Sequence, residues 1–142
     1  MLEQNQQLAA VADGSNRPYL RSQASYAAPY ILEYSAKKGE NIEAEIHWDG
    51  TLTGTSDVIT NGYNVPIYIS WDSPTRYELD KYQSGSQSPL NTYTMALDSG
   101  WHMYSINATS TGISVSYDNT PILSTTDITR TSGYIGFSSR VS

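Results

Sequence analysis

Apolar and polar residues alternate along most of the chain after residue 18, and Gly, Pro, Asn and Asp interrupt this alternation at short intervals. The side chains of a β-strand point alternately to its two faces, so a period of two is typical of strands with one buried face. No stretch shows a convincing helical period. The pattern therefore predicts an all-β domain of about eight to ten strands joined by short turns.

The strand that the pattern marks most clearly covers residues 41–48. Its alternating positions are Ile42, Ala44, Ile46 and Trp48 on one face and Glu43, Glu45 and His47 on the other. We expect the first face in the core and the second in solvent. Further strands are predicted at residues 19–24, 30–35, 65–71, 76–83, 92–97, 101–108, 113–117, 121–124 and 134–138.

Three short segments rich in turn-forming residues predict which strands are neighbours. Residues 72–74, 98–100 and 118–119 consist of Asp, Ser, Pro, Gly, Asn and similar residues. Such residues fit tight connections, so each segment is expected to join the strand before it to the strand after it as an antiparallel pair.

The predicted core follows from the apolar phase of these strands. Its members are Ile42, Ile46, Val65, Ile67, Ile69, Leu79, Ile106, Ile113, Val115, Ile135 and Phe137. Trp48 and Trp71 are in register with apolar neighbours and are expected in the core or at its edge. Trp101 is expected in the core.

Composition adds a hydroxyl-rich surface to this picture. The chain has 142 residues, with 20 Ser, 14 Thr and 12 Tyr against 3 Lys and one Phe. The length suits one domain, which we place at residues 16–142 behind a polar arm at residues 1–15. The net charge of −6 would repel a phosphate backbone, and no apolar run could span a membrane, so neither nucleic-acid binding nor membrane insertion is expected.

Three runs in the second half of the chain carry a family resemblance. They are GWHMYSI from Gly100, ISVSYDNTPIL from Ile113 and GYIGF from Gly133, and the earlier run IEAEI from Ile42 stands in the matching place. In this order they resemble the concanavalin A-like lectin/glucanase superfamily, also called laminin G-like jelly rolls. The resemblance implies a jelly-roll β-sandwich of two antiparallel sheets. It implies little about function, because the superfamily includes lectins, glycosidases, adhesion modules and assembly proteins.

Glu43 and Glu45 are the candidates for catalysis. Two residues apart on one strand, they would leave the same face about 6 to 7 Å apart, in the range of a glycosidase pair. The laminarinase-type members of the superfamily carry a longer acidic signature, and here its middle and final acids are missing. We therefore expect both glutamates, and His47 beside them, to be ordinary solvated positions of an alternating strand.

Tyrosines on the polar phase are the candidates for ligand binding. An aromatic ring with a polar edge can stack against a sugar, and Tyr63, Tyr68, Tyr82 and Tyr104 are the side chains that we expect to do so.

Calcium is the one cofactor that we consider. The resemblance implies it, because these jelly rolls often hold one ion, and hard cations bind loop carboxylates. The candidates are Asp49, Asp57 and Asp72, although ordinary turn-forming acids are the simpler interpretation of these positions.

The leading hypothesis is a non-catalytic, extracellular recognition module that binds carbohydrate. A second hypothesis is a structural subunit of an extracellular filament, capsid or surface assembly, in which the arm at residues 1–12 adds a strand to another copy of the chain. It rests on the expectation that relatives continue into a further strand beyond Phe137. The third hypothesis is β-glucan hydrolysis by Glu43 and Glu45. The first two place the protein outside the cell or on a cell or virion surface.

Overall fold

A computed structural model describes residues 8–11, 19–37, 42–50, 60–68, 75–96 and 100–139. In this part of the chain every regular element is a strand. The strands are β1 (Leu8–Val11), β2 (Tyr19–Ser22), β3 (Tyr26–Ala27), β4 (Tyr30–Lys37), β5 (Ile42–Trp48), β6 (Gly62–Tyr68), β7 (Thr75–Gln83), β8 (Ser86–Met95), β9 (Trp101–Thr109), β10 (Gly112–Tyr117), β11 (Thr120–Thr125) and β12 (Ser132–Ser139). These described residues contain no helix that is long and apolar enough to cross a membrane.

The strands form two antiparallel sheets. The large sheet has the order β1-β2-β12-β5-β6-β7-β8, with β3 paired to β12, and the small sheet has the order β11-β10-β9-β4. The sheets pack face to face, which buries the apolar phase of each strand between them. The predicted all-β jelly-roll sandwich is confirmed.

The predicted turns have different outcomes. The turn at residues 118–119 joins β10 to β11, and both Asp118 and Asn119 have the positive φ that such a hairpin requires. The neighbours β6 and β7 also pair as predicted. The pairing predicted across residues 98–100 is wrong, because β8 pairs with β7 in the large sheet while β9 lies in the small sheet.

Strand β5 contains a β-bulge that decides which side chains face the core. Opposite β12, Trp48 pairs with Tyr134 and Glu45 with Gly136, so β5 has one residue more than its partner between these pairs. His47 lies in this bulge with φ of +50°. A bulge shifts the alternation of a strand, so His47 turns inward and Trp48 returns to the same face as Glu45.

The core lies between the sheets and matches most of the prediction. The predicted residues found buried there are Ile46, Val65, Leu79, Ile106, Ile113 and Val115. Phe137 is partly buried against this core and Ile135 is half-buried. The side chains of Ile42 and Ile67, and the whole of Ile69 and Trp71, lie outside the described residues.

Trp101 corrects the prediction for the tryptophans. Its side chain is 62% exposed, so its assignment to the core is wrong. The phase of β9 gives the reason: Tyr104 and Ile106 point inward, and Trp101 has the opposite parity to Tyr104. Trp48 is buried, but on the face of β5 that carries Glu45 instead of the face that carries Ile46, so its assignment to the core face is also wrong.

The N-terminal segment contributes a strand to its own domain. Leu8–Val11 pairs with β2 along its whole length, and β2 pairs in turn with β12. Strand β12 lies between β2 and β5 rather than at an edge of the sheet. Strand exchange between copies of the chain remains a prediction.

A group of polar side chains ties the segment after β11 to the large sheet. Lys81 Nζ donates to Asp127 Oδ2 at 2.8 Å, and the Tyr63 hydroxyl donates to Asp127 Oδ1 at 2.5 Å. Partial burial acts to raise the pKa of Asp127, but the hydrogen bonds from Lys81 and Tyr63 outweigh it and hold that pKa well below its usual range. Burial and the Asp127 hydrogen bond raise the pKa of Tyr63 to about 12.

Candidate functional site

A row of polar side chains crosses the outer face of the large sheet, the face that points away from the small sheet. We call it the polar strip, and its members, on β12, β5, β6, β7 and β8, are Ser138, Glu45, Glu43, Asn64, Asp80 and Gln87. The strand register places them side by side, because Asn64 lies opposite Glu45 on one side and Asp80 on the other. The strip therefore runs across the strands rather than along one of them.

Each acidic side chain of the strip accepts a hydrogen bond from a neutral donor. Ser138 Oγ donates to Glu45 Oε1 at 2.6 Å, and Asn64 Nδ2 donates to Glu43 Oε2 at 2.9 Å. At the β8 end of the strip, Gln87 Nε2 donates to Asp80 Oδ2 at 2.7 Å. These bonds hold the side chains in a fixed arrangement across the sheet.

Glu43 and Glu45 are not the solvated positions that the sequence predicts. They are 5% and 1% exposed, although they do share one face of β5 as expected. The alternation of polar residues indicates to which face of a strand a side chain points, but not whether other residues cover that face. Whether they catalyse a reaction remains a prediction.

Asp80 is the most perturbed acid of the strip. It is fully buried on β7, and burial raises its pKa to about 6, against the opposing effect of the Gln87 hydrogen bond. The negative charges of Glu78 and Glu43, and a side-chain hydrogen bond with Glu78, act in the same direction as burial. Its Oδ1, and Oδ1 of its register partner Asn64, accept no hydrogen bond from the described residues. Two buried residues that lie opposite each other on adjacent strands thus each carry an oxygen that no described N–H or hydroxyl group donates to.

An aromatic cluster borders the polar strip on the same face. It consists of Trp48, Tyr82 and the half-buried Tyr134. The Arg21 guanidinium lies 4.4 Å from the centre of the Tyr134 ring, and its Nη1 donates to the carbonyl oxygen of Gly50 at 3.1 Å. Flat apolar surface beside hydrogen-bonding groups is the combination that sugar rings require.

Gly136 explains how the cluster and the strip fit together. A Cβ at this position would lie 3.2 Å from both Glu45 Oε2 and a ring carbon of Trp48, and 2.8 Å from the Leu20 carbonyl oxygen. The missing side chain therefore leaves the space in which the carboxylate and the indole meet. The site depends on glycine here because of close approach.

The four predicted tyrosines are in different places. Tyr63 and Tyr104 are buried between the sheets, where a ring cannot stack on a ligand, so their assignment to the polar phase is wrong. Each has the parity of a core neighbour on its own strand, Val65 and Ile106 respectively. Tyr82 does lie on the outer face, in the aromatic cluster. The side chain of Tyr68, at the end of β6, is outside the described residues.

His47 is buried rather than exposed, which corrects another expectation. The bulge turns its ring toward Tyr30 of the small sheet, whose hydroxyl lies 3.1 Å from Nδ1. Burial lowers the pKa of His47 to about 4, with a smaller contribution from the positive charge of Arg130. The ring is therefore neutral near pH 7 and belongs to the interior.

The calcium candidates gain no support from the described geometry. Asp49 accepts a hydrogen bond from Asn61 Nδ2 at 2.9 Å, which ties the end of β5 to the start of β6. Asp57 and Asp72 lie outside the described residues. Within the described ranges, no three His, Cys, Asp or Glu side chains are grouped so as to hold a metal ion.

Most residues of the strip are not among the sites predicted from the sequence. Asn64, Asp80 and Ser138 were not selected for an outer-face site, yet a signal for one of them is present. In the strand at residues 76–83, Asp80 alternates with the predicted core residue Leu79, which places it on the outward face. The neighbouring positions of these strands depend on pairing, which the pattern does not give.

Solved structures with a similar fold include carbohydrate-binding proteins and glucanases. The carbohydrate-binding module CBM66 of Bacillus subtilis has a TM-score of 0.66 and 16% identity, over 94% of this chain and 83% of that one. The metal-free carbohydrate recognition domain of Emp46p has a TM-score of 0.64 and 11% identity, over 93% and 74% of the two chains. The endo-β-1,3-glucanase of Pyrococcus furiosus has a TM-score of 0.63 and 13% identity, over 87% and 56%.

These similarities are similarities of fold, since every identity is low. The chain spans little more than half of the glucanase but most of the two carbohydrate-binding domains. Neither a family model nor a curated protein sequence matches it. The order of strands, the two sheets and these neighbours confirm the resemblance seen in the sequence: the chain has the jelly-roll fold of the concanavalin A-like lectins and glucanases.

Proposed function

We propose that this protein is a non-catalytic, extracellular carbohydrate-binding module that binds glycan on the outer face of its large sheet. The observation that carries the proposal is the polar strip with the aromatic cluster directly beside it. A sugar ring needs a flat apolar surface for its C–H face and fixed hydrogen-bonding groups for its hydroxyls, and the two features supply both.

The accessible ends of the site are the places where a glycan would make its first contacts. Arg21 and Tyr134 are half-buried at one end, and Gln87 is exposed at the other. Asp80 holds Gln87 by a hydrogen bond, and the Gly50 carbonyl oxygen holds Arg21 beside the Tyr134 ring. The carbohydrate-binding neighbours of the same fold support this assignment.

A glycan array followed by calorimetric titration of the best ligand tests the proposal. Tyr134→Ala removes the most accessible ring of the aromatic cluster and is expected to weaken binding by about tenfold or more. Trp101→Ala is the matched control, because it removes an exposed aromatic side chain from the small sheet. Absence of binding to every glycan, or equal losses in the two variants, would contradict the proposal.

Hydrolysis of a β-glucan by Glu43 and Glu45 is the second candidate. It is favoured by the glucanase neighbours and by the position of both carboxylates on one face of β5. We prefer the hypothesis of binding without cleavage, because His47, the third polar residue of this strand, points into the interior and does not join the two glutamates on the outer face. The enzymatic function would be established instead if the protein released reducing ends from a β-glucan and the Glu43→Gln variant did not.

A further inference from the structure

We propose that the polar strip selects glycans with a free amino group. In its protonated form, this group would donate hydrogen bonds to Asp80 and Asn64. This inference rests on the proposed carbohydrate-binding function and adds the class of sugar. It concerns the β6–β7 part of the strip, where buried acceptors outnumber donors.

The first argument is the hydrogen-bonding inventory at this point. Asn64 and Asp80 are 2% and 0% exposed and lie opposite each other on adjacent strands. No N–H or hydroxyl group of the described residues donates to Oδ1 of either residue, and besides Gln87 the Asp80 side chain has a hydrogen bond with the carboxyl group of Glu78, a second acid. A buried acceptor without a donor is costly, so two of them side by side indicate a group that arrives with its own donors.

The second argument is charge. Asp80 is a buried carboxylate with Glu43 and Glu78 as its charged neighbours, and both of them disfavour its ionised form. A cation close to Asp80 would compensate for this burial, whereas a carboxylated or sulfated sugar would add repulsion. An ammonium group supplies three N–H donors and a positive charge, while a hydroxyl supplies one donor and no charge.

Gln87 shows how such a group would reach Asp80. It lies on β8, the edge strand of the large sheet, and its exposed side chain donates to Asp80 Oδ2 at 2.7 Å. An incoming ammonium group would replace this hydrogen bond with a charged one, while the displaced amide of the exposed Gln87 would bond to water. The carboxylate is thus shielded from solvent by a replaceable group.

The test compares sugars that differ at one substituent. Oligosaccharides of β-1,4-linked glucosamine, N-acetylglucosamine and glucose, equal in length, carry an ammonium, an acetamido and a hydroxyl group at the same carbon. They are titrated together with an array of other free-amine, neutral and carboxylated glycans. The pH is set just above the Asp80 pKa of about 6, where more than half of this carboxylate is ionised, and the titrations are repeated at a lower pH, at which a larger fraction of the sugar amine is protonated.

Two variants separate the local site from the overall negative charge of the protein. Asp80→Asn removes the carboxylate but keeps its shape, and Glu33→Gln removes an exposed carboxylate from the small sheet. Both change the net charge equally. Asn64→Ala serves as a second change at the site, and near-ultraviolet circular dichroism checks that every variant is folded.

The expected result is that free-amine glycans bind about tenfold more tightly than their neutral counterparts, and that Asp80→Asn and Asn64→Ala lose this preference while Glu33→Gln keeps it. A preference that survives Asp80→Asn would reflect general charge attraction and overturn the inference. Equal or tighter binding of neutral or carboxylated glycans would overturn it as well, but would leave the carbohydrate-binding proposal in place. Binding of no glycan at all would remove both.

Discussion

Replacement of Asp80 by Asn should make this protein more stable at neutral pH. The folded protein raises the pKa of Asp80 from 3.8 to about 6, chiefly through burial. Below pH 3.8 the carboxyl group is neutral in both the folded and the unfolded chain and costs nothing as a charge. As the pH rises from 3.8 to about 6, the carboxyl group loses its proton in the unfolded chain before it does so in the folded chain. The folded state therefore becomes progressively less favourable relative to the unfolded state.

The magnitude follows from the same two pKa values. A difference of about 2 in pKa corresponds to about 3 kcal/mol, because each pKa unit is worth 1.36 kcal/mol. This is a large fraction of the 5–15 kcal/mol by which a typical domain is stable. Asn has the shape of Asp and no charge, so the variant should not show this loss. Part of this difference is already present at pH 4, so we expect the stability advantage of Asp80→Asn to increase by about 2–2.5 kcal/mol between pH 4 and pH 7.5.

Urea unfolding at a series of pH values measures this advantage. With a slope of about 1–3 kcal/mol per molar urea, a change of this size shifts the midpoint by about 1–3 M. The quantity to follow is the difference between variant and parent at each pH, which cancels any constant effect of the amide group. Glu33→Gln provides the control, since it makes the same change of charge at an exposed position of the small sheet.

A difference that stays constant from pH 4 to pH 7.5, or that decreases, would refute the reasoning. The first outcome would mean that Asp80 is not desolvated in the folded protein, and the second that a cation stabilises its charge. The predicted outcome would show that the chain keeps a destabilising carboxylate on the outer face. Such a cost is commonly found where a side chain serves binding.

Three further predictions concern the rest of the fold. Leu79→Ala, in the core, should lower the free energy of unfolding by about 2–5 kcal/mol, whereas Trp101→Ala, at an exposed position, should change it by less than about 0.5 kcal/mol in the same urea titration. Asp127→Asn should cost stability at neutral pH, and this cost should decrease progressively as the pH falls from about 4 toward 2, because the ionised carboxylate held by Lys81 contributes stability that is lost as the pH falls toward its lowered pKa; a cost that stays constant over this range would contradict this. Gly136→Ala should both lower the melting temperature and weaken glycan binding, since the added Cβ would lie 3.2 Å from Glu45 of the strip and from Trp48 of the aromatic cluster. Unchanged binding by this variant would show that the ligand does not depend on these two groups.

The sequence by itself determined the class of fold and the larger part of the core. A period of two, interrupted by turn residues, is a local property of the chain, and it correctly placed Ile46, Val65, Leu79 and Ile106 in the interior. The ordered motifs in the second half correctly indicated a jelly roll. Parity alone would also have placed Tyr104 inside and Trp101 outside, because both share a strand with Ile106.

The tertiary structure alone decided which polar residues form the candidate site. The polar strip joins residues from β12, β5, β6, β7 and β8, and strand order in an antiparallel sandwich is set by long-range pairing, which a local pattern does not encode. The bulge in β5 also depends on its partner, and it moves His47 inward and Trp48 outward against strict alternation. Burial of Asp80, and hence its raised pKa, follows from this assembly of neighbouring strands rather than from its own sequence position.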